Sequence, residues 1–131
     1  NLSQTQRKPP VSSEASLPRP ARIPPQNRRS AADHLRTALM NLCDHRAQVL
    51  THSERAWASI TFAGTRHRLA LLFAGAEAVA AGEQFIACLP EHEFAIPGQL
   101  VADAGIVEVE HRLMPSERMV VQCDLLLLEE S

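Results

Sequence analysis

The sequence predicts an α+β fold: an antiparallel β-sheet of about five to six strands with two helices, in the order α-β-β(β)-α-β-β(β), preceded by a disordered tail. Three observations carry this. Apolar residues recur at helical spacing in two segments, near 31–44 and 75–89. After each of them the period changes to two, with turn residues dividing the alternating runs. Too few strand–helix–strand crossovers remain to build a parallel sheet, so helices packed on one face of an antiparallel sheet is the natural architecture.

The organisation along the chain follows from composition. Residues 1–29 hold six of the nine prolines and few large apolar side chains. Such a stretch cannot bury enough surface to offset its ordering entropy, so it reads as a disordered, proline-rich basic tail. Before Ala31 the chain carries six basic residues (Arg7, Lys8, Arg19, Arg22, Arg28, Arg29) against Glu14, a net charge of +5. Subtracting these from the totals of 13 basic and 15 acidic residues leaves 7 and 14, or −7, for the remainder. Residues 30–131 are expected to form a single α+β domain. An acidic domain repels phosphate backbones, so nucleic-acid binding is expected only through the basic tail. Cys43, Cys88 and Cys123 are odd in number, fit no disulfide framework or CxxC knuckle, and suit a reducing compartment. No apolar run approaches the roughly 18 residues of a membrane span. Arg28-Arg29 is followed by Asp33, His34 and Arg36 rather than an apolar stretch, so no export signal is read. A cytoplasmic location is expected.

Each element has a local rationale. Ser30 looks like a helix N-cap, with Asp33 completing a short capping box. Leu35, Ala38, Leu39 and Leu42 then form a stripe ending near Asp44, with Arg36 and Thr37 off it. Residues 47–52 are a candidate short strand. Runs 55–63 and 66–74 read as a hairpin around Gly64-Thr65, pairing Phe62 with His67, Ile60 with Leu69, Ala58 with Leu71 and Ala56 with Phe73. The reverse face of that hairpin carries Trp57, Ser59, Thr61, Arg68, Ala70 and Leu72. The second helix, Gly75 to Leu89, places Gly82 within its apolar stripe; a glycine there costs ~1 kcal/mol against alanine, which points to close approach to the sheet. Pro90 ends the helix. Phe94 to Ile96 is another candidate strand, Ala104-Gly105 a bulge in the next, and a three-residue loop at Pro115-Ser116-Glu117 pairs Leu113 with Met119. That register sets Glu108 opposite Asp124, Glu110 opposite Gln122 and Ile106 opposite Leu126.

The stretches "WASITFAG" (57–64), "TRHRLALLFAG" (65–75) and "EFAIPGQLVADAGIVEVEHRL" (93–113) resemble a group of short, uncharacterised alphaproteobacterial proteins of sphingomonad type. The resemblance covers about residues 31–130. It implies the domain boundary and a bacterial source, and it carries no functional residue over.

Motifs for catalysis are lacking: there is no GxSxG, no glycine-rich phosphate loop and no HExxH. No catalytic residue, cofactor or metal is assigned. Arg66, Arg68, Glu108, Glu110 and Asp124 form a candidate polar cluster on the outer sheet face; two opposed carboxylates need a cation, either an arginine or a divalent metal. His67 and His111 share the core face, and would meet, with Cys123 and His92 nearby, only if their strands were neighbours. Cys123 reads as inert packing, and Cys43 and Cys88 fall near helix C-termini, where the dipole disfavours a thiolate. Trp57, Leu72, Ile106, Leu126 and Leu128 are apolar on the face expected to be polar, making a candidate interface unless the first helix covers them. The function expected is therefore binding or self-association through the sheet face, with a protein partner or a second copy. The alternative is a small-molecule-binding or enzymatic domain with a polar pocket on the sheet.

Overall fold

The computed structural model describes residues 30–130; the expected tail lies outside the described residues. Two helices and four strands follow in the order α1 (Ala31–Leu42), β1 (Gln48–Ala58), β2 (Ala63–Ala74), α2 (Ala76–Cys88), a short 3-10 turn Leu89–Glu91, β3 (Gln99–Arg112) and β4 (Arg118–Glu129). The strands form one antiparallel sheet in the order β1-β2-β4-β3. The α+β class matches the sequence reading, but the strands number four instead of five to six, so the order is α-β-β-α-β-β without the extra strands expected. The expected strands at 47–52 and 55–63 merge into β1, because nothing between them breaks the chain. Phe94 to Ile96 contributes only the isolated bridge from Ile96 to Gln99.

Both helices lie on one face of the sheet. Ser30 accepts a hydrogen bond from the Asp33 N–H at 3.1 Å and Asp33 accepts one from the Ser30 N–H, so the capping box opens α1 as its sequence suggests. Leu35 and Leu39 of α1, with Cys43 just beyond it, join Leu69, Leu71, Phe73, Val121, Cys123, Leu125 and Leu127 of the sheet in one buried cluster. α2 adds Ala78, Val79 and Phe85, and Phe85 meets Phe73 with ring centroids 6.2 Å apart. Gly82 is where α2 comes closest: a Cβ there would lie 2.5 Å from Met119 Cε and 2.9 Å from the Phe73 ring. The close approach expected of this glycine is thus observed, and the helix sits directly on β2 and β4.

Both hairpins keep the expected facial sets on β2 and β4 but not the expected registers. The first loop is 59–62, not Gly64-Thr65, so Ala58 pairs with Ala63 and Trp57 with Gly64. Phe62 and Ile60 therefore leave the core face and lie exposed in the loop. Gly64 belongs to β2 for a different reason from turn geometry. A Cβ on it would fall 2.1 Å from the Leu127 carbonyl oxygen and 2.9 Å from the Leu128 Cα, so only glycine lets β2 and β4 approach at this point. The second loop spans 113–117, placing Arg112 opposite Arg118 and His111 opposite Met119. The irregularities in β3 fall at Ala102 and Val107, between the pairs Val101/Asp103 and Ile106/Glu108, and not at Ala104-Gly105. Each inserts one unpaired residue and so reverses the facing of what precedes it.

Candidate functional site

The helix-free face of the sheet collects the candidate residues, and the register arranges them in rows across four strands. Successive rows, read β1-β2-β4-β3, are Trp57, Gly64, Leu128, Leu100; then Arg55, Arg66, Leu126, Asp103; then Ser53, Arg68, Asp124, Gly105; then Thr51, Ala70, Gln122, Glu108; then Gln48, Leu72, Val120, Glu110. Neither α1 nor α2 covers this face, since both bury their apolar stripes in the cluster on the other side.

The candidate interface does not assemble as one patch. Ile106 pairs with Cys123 and packs against the core, because the bulge at Val107 turns it to the helix-covered face. Leu72 lies opposite Val120, four rows from Trp57. Leu126 and Leu128 do join Trp57 at one end, yet they are only 7% and 8% exposed. Their cross-strand neighbours are Arg66 and Asp103 for Leu126, and Gly64 and Leu100 for Leu128. Trp57 and Leu72 are half-buried and Leu100 is half-exposed.

The polar cluster also divides. Arg68 grips Asp124 with two hydrogen bonds, Nε to Oδ1 at 2.6 Å and Nη2 to Oδ2 at 2.8 Å. These bonds, with weaker contributions from the Arg66 and Arg55 charges, hold the Asp124 carboxyl below its ordinary pKa. Ser53, Glu54, Arg55, Arg66, Arg68 and Asp124 line a cleft of about 310 Å³. Glu108 lies opposite Gln122 and not Asp124, and Glu110 accepts from Arg112 at 2.9 Å at the β3 edge of the same face. The carboxylate opposition expected from the sequence therefore does not occur. Arg55, Arg66 and Arg68 stand on β1 and β2, while Asp103, Glu108 and Glu110 run along β3, where Arg112 and the neighbouring Arg118 of β4 end the face. Arg55 and Arg66 are direct cross-strand partners, an unfavourable like-charge pair that an external anionic group would relieve.

His67 and His111 do not meet. His67 on β2 pairs with Leu125 and His111 on β3 with Met119, six positions apart along β4 and on either side of it; His111 contacts Glu117 at 2.9 Å. His67 instead meets His52, which the sequence reading passed over. His52 Nε2 lies 2.9 Å from His67 Nδ1, and Arg36 Nη1 lies 2.7 Å from His52 Nδ1. Arg36, although off the apolar stripe of α1, thus ties that helix to the sheet, and its Nη2 also donates to Asp33 at 2.6 Å. Glu54 stands directly opposite His67 on the same face. Burial is the main cause lowering the pKa of both rings, followed by the Arg36 charge at His52 and by His52 itself at His67.

Cys123 packs in the core, as read. Cys43 and Cys123 are buried, and desolvation pushes both thiols up to about 12; Cys88 is exposed. Iodoacetamide at neutral pH should therefore alkylate Cys88 in the folded protein, and Cys43 and Cys123 only after denaturation, as mass spectrometry would show. Rapid native labelling of Cys123 would contradict the core assignment.

Among the described residues, no helix is long and apolar enough to cross a membrane. No family model and no curated protein matches the sequence. Among solved structures, a chain in the virion of a native gene transfer agent particle is similar to this one, with a TM-score of 0.49 and 13% identity over 76% of this chain and 92% of that chain.

Proposed function

We propose that the domain is a self-association module in which the helix-free sheet face of one copy meets the same face of a second. One observation carries this: in several rows of that face, opposed residues are complementary to their own reversal. A two-fold axis parallel to the strands, between β2 and β4, lays β1 of one copy over β3 of the other and β2 over β4. The row Arg55, Arg66, Leu126, Asp103 then sets each Arg55 over the other copy's Asp103. In the next row Arg68 faces Asp124, and in the row before it Trp57 faces Leu100. At the far end Leu72 faces Val120. This is an isologous contact, each residue pair occurring twice, and two sheets stacked about 10 Å apart with aligned strands is an ordinary packing mode. The domain is acidic as a whole, and the Arg55, Arg66 and Arg68 group on this face finds a suitably charged partner in another copy.

Charge exchange tests the reading. Arg55→Asp alone places two carboxylates over each other at both equivalent contacts, and Asp103→Arg alone places two guanidinium groups there. Each variant should be a folded monomer, since like charges juxtaposed in an interface cost several kcal/mol. Mixing the two variants restores both contacts and should give a heterodimer. Dimers that persist in both single variants, or a mixture that stays monomeric, would exclude this arrangement.

A further inference from the structure

The cluster of His52, Glu54 and His67 has a chemistry that the sheet-face reading does not use. The three offer ligand atoms within 4.8 Å of one another, on two adjacent strands at the β1 edge of the helix-covered face. His67 is buried at 2% exposure, His52 is half-buried and Glu54 is exposed, so the group forms a recess with a solvent-facing carboxylate at its mouth. We infer that these residues form a binding site for a borderline transition-metal dication such as Zn²⁺, with a fourth position open to solvent.

The geometry supports this at the level of individual atoms. Arg36 has no lone pair to accept with, so it must donate to His52 Nδ1. His52 therefore carries its proton on Nε2 and donates it to His67 Nδ1, 2.9 Å away. A tetrahedral ion with bonds of about 2.0–2.1 Å to two imidazoles holds their nitrogens ~3.3 Å apart. Replacing the shared proton by an ion thus requires the nitrogens to part by ~0.4 Å and the rings to tilt so that both lone pairs converge on it. Two histidines and one carboxylate are a ligand set that zinc takes with its fourth position exchangeable.

The metal and Arg36 compete. With Nε2 bound to the ion, the His52 proton moves to Nδ1, which can no longer accept from the guanidinium. Arg36 must leave the ring, and Asp33, already bonded to it at 2.6 Å, keeps it on α1. Metal binding and the docking of α1 through Arg36 are therefore mutually exclusive at this one nitrogen. This coupling gives the site a signature that adventitious surface binding lacks.

The test uses the full chain, titrated with Zn²⁺ against a chromophoric chelator, and with Co²⁺ for its visible bands. One equivalent should bind, with the intense absorption of tetrahedral cobalt. His52→Gln should abolish the bands. Arg36→Met should tighten zinc binding about tenfold or more with the circular dichroism spectrum unchanged, which separates the gain from zinc capture by Cys43 and Cys123 thiols exposed on misfolding. Cys88→Ser should leave binding unchanged and so exclude the exposed thiol. Absence of the cobalt bands in the wild type, bands that survive His52→Gln, or an Arg36→Met variant that binds no more tightly would each overturn the inference.

Discussion

Gly64→Val is expected to destabilise the domain by about 4 kcal/mol or more, among the largest effects a single substitution here can have. The clash is with backbone and not with a movable side chain. A Cβ would lie 2.1 Å from the Leu127 carbonyl oxygen and 2.9 Å from the Leu128 Cα, so β2 and β4 must separate at this end. That separation opens the central pairing of the sheet and exposes Leu127 and Leu128, which are buried. Valine adds branching to the same collision and cannot relieve it by rotating. Chemical denaturation should show the loss as a shift of the midpoint, with dimer formation lost alongside it because Gly64 shares a row with Trp57. Gly105, with nothing within 4 Å of a built Cβ, is the control: Gly105→Ala should lie within about 1 kcal/mol of the parent. A stable Gly64→Val protein would mean that β2 and β4 do not pack this closely.

Trp57→Glu is the second large effect, and it falls on association instead of stability. Trp57 is half-buried on β1, an edge strand, so its loss leaves the core intact. In the face-to-face arrangement it meets the other copy's Leu100, which is 50% exposed in the single chain. Buried tryptophans are frequent energetic centres of interfaces, worth about 2–4 kcal/mol each. The contact occurs twice, and glutamate adds a charge that must be desolvated. Dimer affinity should drop at least a hundredfold, about 3 kcal/mol, while the unfolding midpoint of the monomer stays nearly unchanged. Leu72→Glu, at the other end of the face, should weaken association less, because its expected partner Val120 is already half-buried.

These two positions also show what the sequence made legible. Alternation assigned Leu69, Leu71, Phe73, Cys123 and Leu125 to the core, and Trp57 and Arg68 to the other face, without knowledge of any register. A slip by an even number of residues preserves facing, so these assignments survived registers that were wrong. Gly64 was misread because a glycine beside a threonine satisfies a tight turn as well as a close strand approach, and local sequence does not separate the two. The bulge at Val107 carries no residue signal: a valine between Ile106 and Glu108 in a strand of alternating valine and glutamate gives no sign that it is unpaired, yet it turns Ile106 into the core. His52 and His67 meet across strands through a pairing that depends on the first loop spanning 59–62, so their contact was invisible until the register was known. The self-complementary rows are a property of register throughout, and composition alone showed only that arginines and acids were both present.

The solution mass of the full chain, measured by light scattering across a concentration series at low and moderate salt, tests the central claim most directly. The account predicts a species of twice 14.4 kDa that dissociates on dilution and weakens as salt rises, since Arg55 over Asp103 contributes to the contact. A mass of 14.4 kDa at every concentration would contradict it and leave the helix-free face without a second copy to meet.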